Sequence, residues 1–420
     1  MLQRMIWVGL AVSFIGCSEK SKTRDTVFVK DSPTCLSQVI AGEYLVTWTD
    51  GTITKEMAPD QEKFKDSFVD ENLEDIEYIE SNKMIYLEPT TKASADPERF
   101  NRGGFSNWPT AQVMADSAWQ LGHRGQNVVV AVIDSGVDYQ HPQLASQIAI
   151  NAGEAGADVN GFNKSSNGID DDGNGYVDDV FGYNFGLETN NPFDSGNHGT
   201  HVAGIVAAHH TDTVSEHRDY VQGVAPEAKI LPIAFITSGG GGTLDAAIRA
   251  IDYARIRGAH IINASWGGAS CSKTLGERVR GLEQFGILFV AASGNNGRNI
   301  DFEPEYPAAY NLANQLTVGA VSRFTTQTDF SNYGNTRVHL FAPGKDVSST
   351  VPLNGYESFS GTSMAAPMVT GALALLKSAR PKASAQQLKN ALLSGVDVDP
   401  TYLNATTGRL NIQKALQALP

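Results

Sequence analysis

The chain has 420 residues, 41% hydrophobic and 19% charged, so it can bury a large core and is not a disordered polymer. Its net charge of −14 argues against a nucleic-acid partner, because such surfaces concentrate Lys and Arg to displace counterions. Three cysteines are too few for a disulfide framework, and Cys35 and Cys271 are expected to be unpaired.

In chain order, Arg4 precedes an apolar stretch from Met5 to Gly16. That stretch is too short to span a bilayer as a helix and suits a signal peptide, residues 1–16. It ends in FIGC, where Gly16 before Cys17 resembles the lipobox of bacterial lipoproteins, with Phe14 where Leu is usual. The resemblance implies lipid on Cys17, a polar tether over residues 17–39, and export to a bacterial envelope, at the outer membrane if there is one. Residues 40–90 read as a small α+β unit: EYLVTW as a strand, DQEKFKDSFVDE as an amphipathic helix, IEYIE and KMIYLEP as two further strands. Residues 91–106 collect Gly, Pro, Ser and charge without apolar periodicity and read as an exposed linker.

From residue 107 to the end, short apolar runs alternate with helical patterns. The runs are Asn127 to Asp134, Ala228 to Ile236, Ala259 to Ser265, Gly286 to Ser293, Gln315 to Val321 and Val338 to Pro343. Nearly continuous apolar runs suit strands covered on both faces. The expected fold is therefore α/β, a doubly wound and mostly parallel sheet flanked by helices, with ligands at the carboxyl ends of the strands.

Three polar stretches fall where that rule points. Asp134 ends the first run in VIDSGVD, His198 opens HGTHVAG, and Ser363 stands in SGTSMAAP before an apolar helix. Singly, each has a plain structural explanation: a strand-end turn, a helix end, a helix cap. Together, in this order, they resemble the signature stretches of the subtilisin-like serine proteases, in which the triad runs Asp, His, Ser. An esterase of the α/β-hydrolase class would need G-x-S-x-G and the order Ser, Asp, His; Ala365 breaks that pattern. There is no HExxH for a zinc protease.

The resemblance, which runs from about Asn107 to the C-terminus, implies roles for individual residues. Ser363 is the nucleophile, His198 its base, and Asp134 the carboxylate that orients the imidazole. In VAASGNNG it makes Asn295 the side-chain donor of an oxyanion hole. Gly239, Gly240 and Gly241 on one side and Ser265, Trp266 and Gly267 on the other are implied to flank an extended peptide, with Asp301 or Glu303 near the pocket for the residue before the cut. Pro367 is expected in or near the first helical turn, where its missing N–H costs nothing. The implied activity is that of a secreted serine endopeptidase acting on proteins or peptides, with a catalytically silent binding protein of the same fold as the alternative.

Residues 40–90 resemble the family's propeptide, implying an intramolecular inhibitor removed by a cut between Ala95 and Asn107. Such a cut is expected to free the catalytic part from the membrane anchor. NGIDDDGNGYVDD places Asp170, Asp172 and Asn174 at alternate positions, followed by Asp178 and Asp179, the pattern of a calcium-wrapping loop, although Phe181 stands where an EF-hand has Glu. A structural calcium is expected there. A second calcium site of the family is not, because Gln143 replaces its usual Asp. A monomer is expected.

Overall fold

The structure is a computed structural model that describes residues 22–30, 37–87, 89–92, 107–210 and 221–420. The signal segment, Cys17, Cys35 and most of the linker lie outside the described residues. Among the described residues no helix is long and apolar enough to cross a membrane.

In the N-terminal unit, β1 (Val39–Trp48) pairs antiparallel with β2 (Ile53–Met57) and β3 (Ile76–Tyr86). A helix closes one face, beginning at Gln61–Phe64 under an Asp60 cap and continuing through a π-helical turn, Lys65–Val69. Tyr44, Val46, Phe64, Val69, Ile76 and Ile79 make its small core. Two readings are corrected. β2 is an additional strand, reached by a turn in which Gly51 takes a left-handed φ of 84°. The expected pair of strands is the single strand β3, because the polar stretch that reads as a break, Glu80 to Lys83, includes Glu80, Asn82 and Lys83, which are buried and find partners elsewhere in the chain. A short strand β4 (Thr91–Lys92) follows.

All six apolar runs become strands of one nine-stranded sheet. They are β5 (Val129–Asp134), β7 (Lys229–Ala234), β9 (Ile261–Ala264), β10 (Leu288–Ala292), β11 (Gln315–Val321) and β12 (Leu340–Pro343). With β6 (Tyr183–Asn184), β15 (Asp397–Val398) and β16 (Gly408–Arg409) the order is β15-β16-β12-β11-β10-β9-β5-β7-β6. Neighbours are parallel throughout except β15, an antiparallel edge. Successive residues point to opposite faces. Val130 and Val132 therefore join the core under the helices His198–Ala207 and Thr362–Ala379, whereas Ala131 and Ile133 face Leu244–Ile256 and Lys273–Gly281. The expected doubly wound α/β fold is thus the observed one. The winding reverses at β5, which has β7 on one side and β9 on the other, so a crevice opens at their carboxyl ends.

The two parts join edge to edge. β3 pairs with β8 (Gly241–Thr243), extending the small sheet to β2-β1-β3-β8. β4 pairs with β14 (Gly355–Ser360), itself paired with β13 (Val347–Val351). Cys271 is disulfide-bonded, which corrects the expectation of an unpaired thiol; its partner is outside the described residues. Sequence alone could not place sulfurs from distant stretches within bonding distance.

Candidate active site

Asp134 ends β5 at the crevice, and its Oδ1 lies 2.8 Å from His198 Nδ1. The same oxygen accepts the Ser135 N–H at 2.7 Å, which fixes the carboxylate. His198 is the first residue of its helix, following Asn197 in a left-handed conformation with φ 72°. Burial alone would lower the imidazole pKa, but the Asp134 carboxylate, its hydrogen bond and Asp194 outweigh that and raise it. Asp194, which sequence reading missed, holds the turn before this helix by accepting the Thr200 N–H at 2.8 Å and the Ser135 hydroxyl at 2.8 Å. His201, one turn on, is no metal partner for His198: it stacks on Phe359, and burial pushes its pKa down to about 3.

Ser363 lies in the first turn of Thr362–Ala379, where N–H groups have no partner inside the helix. Pro367 sits one turn further in than expected, so the Ser363 carbonyl loses its helical donor, and the Ser265 hydroxyl fills the vacancy at 3.0 Å. In return the Ser363 hydroxyl donates to the Ser265 carbonyl at 3.1 Å. His198 Nε2 is buried without a hydrogen-bond partner. Asn295 follows β10, and its Oδ1 accepts the Thr362 N–H at 2.8 Å and the Thr362 hydroxyl at 2.9 Å. With its oxygen so engaged, the amide turns its N–H₂ outward as a donor.

That donor is occupied by the chain itself: Asn295 Nδ2 donates to the Pro89 carbonyl at 3.2 Å. Upstream, Tyr86 pairs with Gly241 and bridges to Gly267, and the Leu87 N–H donates to the Gly240 carbonyl at 3.0 Å. Downstream, Thr91 pairs with Ser360 and Lys92 with Phe359. An extended segment therefore crosses the crevice from one side of Ser363 to the other, held by main-chain hydrogen bonds. Of the expected flanking residues, Gly240, Gly241 and Gly267 meet this segment. Ser265 is spent on the Ser363 helix, the Trp266 side chain is in the core with its N–H on the Ile133 carbonyl at 2.8 Å, and Gly239 lies in the preceding turn.

The seam beside this crossing buries Leu45 and Ile85 in the body's core and is otherwise polar. Glu80 accepts the N–H groups of Lys273 and Thr274 at the start of a helix, Asn82 accepts the Asp245 N–H at 3.1 Å, and Lys83 donates to the Cys271 carbonyl at 2.6 Å. A carboxylate at a helix N-terminus meets both free N–H groups and the positive end of the dipole.

The acidic loop brings Asp170 and Asp172 together with Glu154, one oxygen from each within 4.8 Å of the others. Glu154 was missed; it stands 16 residues before Asp170, with no spacing signal, and is 0% exposed. Its Oε1 accepts the N–H groups of Asp171 and Asp172, whereas Oε2 is buried without a partner. Burial raises its pKa. An orphaned buried carboxylate oxygen beside two more carboxylates fits a hard cation. Asn174, Asp178 and Asp179 are engaged differently: the Asn174 amide donates to Asp179, Asp178 accepts the Gly168 N–H, and Asp179 takes Arg257 at 2.9 Å. At the second family site, the Gln143 amide donates to the His209 and Val221 carbonyls, both at 2.9 Å, so the N–H₂ group occupies acceptors a cation would use. Asp301 is spent on Thr336 and Arg337, and Glu303 is exposed beside Arg298.

Comparison with known proteins agrees with this fold. Fervidolysin from Fervidobacterium pennivorans, described as a keratinolytic enzyme related to subtilisin, superimposes with a TM-score of 0.72 at 24% identity, over 94% of this chain and 63% of that one. The subtilase family, Peptidase S8, matches residues 125–410. Subtilisin DY of Bacillus licheniformis is 34% identical over 73% of this chain and 96% of its own. The thermophilic serine proteinase of Bacillus sp. (strain AK1) is 35% identical over 72% of this chain, which spans 63% of that protein's length. The chain belongs to the subtilase family.

Proposed function

We propose that the chain is a serine endopeptidase made as a zymogen, with residues 40–90 as its intramolecular inhibitor. The observation that carries this reading is the extended segment lying across Ser363 with its Pro89 carbonyl on the Asn295 amide. A peptide substrate takes the same path, recognised through main chain rather than side chain. Attack begins when the Ser363 hydroxyl turns from the Ser265 carbonyl to His198 Nε2, which accepts its proton; the oxygen then bonds to the peptide carbonyl carbon. Asp134 stabilises the imidazolium, and the Asn295 amide with first-turn N–H groups holds the oxyanion. His198 returns the proton to the leaving amine, and water releases the acyl group by the same steps.

Calcium on Glu154, Asp170 and Asp172 would supply charge neutralisation for the loop. Export and lipid on Cys17, supported by the apolar leader and the lipobox-like FIGC, complete the reading, with the chain acting as a monomer. Mass spectrometry of the full chain beside Ser363→Ala, with calcium and a denatured protein, tests it. Wild type alone should digest the protein and yield an N-terminal fragment; its end, at Leu87 to Thr91 or at Ala95 to Asn107, reports whether the crossing or the linker is cut. Equal fragments from both proteins would assign the cut to another protease.

A further inference from the structure

A carboxylate that the steps above leave unused lies beside the crossing. Glu305 is 6% exposed. Its Oε1 accepts the Asn296 amide at 2.9 Å; its Oε2 is buried beside the Asn332 amide, which donates to the Ser293 carbonyl at 3.0 Å, and has no salt-bridge partner among the described residues. It is held between the two walls that flank the cut residue. On one side, Tyr306, the next residue, exchanges both main-chain hydrogen bonds with Gly268, at 2.7 and 3.0 Å, directly after the Gly267 that bridges to the bound segment. On the other, Oε2 lies against Gly294, where a Cβ would come within 2.1 Å of it, next to the Asn295 that holds the carbonyl.

A residue whose carbonyl sits on Asn295 sends its side chain, one bond away, between these walls. We infer that Glu305 forms the floor of that pocket and selects lysine or arginine immediately before the cut, a specificity that rests on the peptidase reading. A buried carboxylate with amide neighbours but no salt-bridge partner is costly unless a cation meets it, and an ammonium or guanidinium satisfies it by charge and hydrogen bond together. Gly294 keeps the space open, because any side chain there would displace the carboxylate. Pro89, which holds the carbonyl position here, brings no cation, consistent with an Oε2 that has no salt-bridge partner. The expected carboxylates, Asp301 and Glu303, point to other work, as described above.

The test uses the activated full chain and a set of peptide substrates identical except at the residue before the cut: lysine, arginine, norleucine and glutamate. In wild type, kcat/KM for lysine and arginine should exceed that for norleucine by about tenfold or more, with glutamate the poorest. In Glu305→Gln the lysine-to-norleucine ratio should collapse towards one. A wild type that cuts peptides without favouring the cations overturns the inference and needs no variant. An unchanged ratio in a folded Glu305→Gln overturns it equally. If wild type cuts no peptide at all and matches Ser363→Ala, the peptidase reading itself fails.

Discussion

The catalytic body and the N-terminal unit meet along one seam yet are held by different forces. In the body, each strand carries apolar residues on both faces, and two layers of helices exclude water from a core that includes Leu373, Leu375 and Val369 on one side and Ile133, Phe235 and Trp266 on the other. At the seam, charged and amide side chains of β3 are buried on main-chain partners across the boundary: Glu80 on a helix start, Asn82 on the Asp245 N–H, Lys83 on the Cys271 carbonyl. The body cannot lose a part without exposing apolar surface. The seam buries only a few apolar side chains of the unit, Leu45 and Ile85, against the helix Leu244–Ile256, and adds hydrogen bonds that water can replace once the unit lifts, an arrangement that suits the inhibitor role proposed above.

This contrast can be broken from either side. Leu373→Ala, at a fully buried position, should destabilise the body by about 2–5 kcal/mol in thermal or denaturant unfolding; a loss under 1 kcal/mol would show that the helix does not depend on apolar packing. Glu80→Ala should act on the seam alone. It leaves helix N–H groups unpaired at a cost of about 1–3 kcal/mol, speeding activation and exposing 78–92 to proteolysis while the body's unfolding midpoint stays put. A fall in that midpoint would mean the seam and the body are one cooperative unit. The smallest effect is the pH profile. Residues 22–92 contain no histidine, so titration near neutrality belongs to the body. His198 must be neutral to accept a proton, and its pKa is raised above the usual 6.5, so kcat/KM should climb with pH through a midpoint above that value. Asp134→Asn removes the raising charge and should move the midpoint down; an unmoved midpoint would assign the limb to another group.

The same contrast explains what could be read from the sequence. Runs such as VVAVID and LFVAA announce buried parallel strands because both faces need the same kind of residue. The three signature stretches named Asp134, His198 and Ser363 and VAASGNNG named Asn295, and the fold brings all four to the crevice. β3 was misread as two strands because burial of Glu80, Asn82 and Lys83 is decided by partners about 160 to 190 residues away, which no local pattern encodes. Glu154 and Glu305 escaped for the same reason: Glu154 has no spacing signal and Glu305 stands beside Asp301 and Glu303 with nothing to single it out, and only folding brings each to Asp172 or Gly294. Pro367 could be seen, but the Ser265 hydroxyl that compensates for it could not.

The Cys271 disulfide changes what a cut accomplishes. The chain's other two cysteines, Cys17 and Cys35, both precede the crossing at residues 84–92. Whichever of them closes the bond, the crossing lies inside a covalent loop, and one break in a loop opens it without detaching anything. With that bond intact, release of the catalytic part would need reduction as well as cleavage. A processed molecule runs as one species on a non-reducing gel and as two after reduction. On the zymogen reading proposed above, the inhibitor would stay tethered and rebind at a concentration set by the tether and not by dilution. Hydrolysis and separation become two events under separate control, the second belonging to whatever thiol can reach that sulfur.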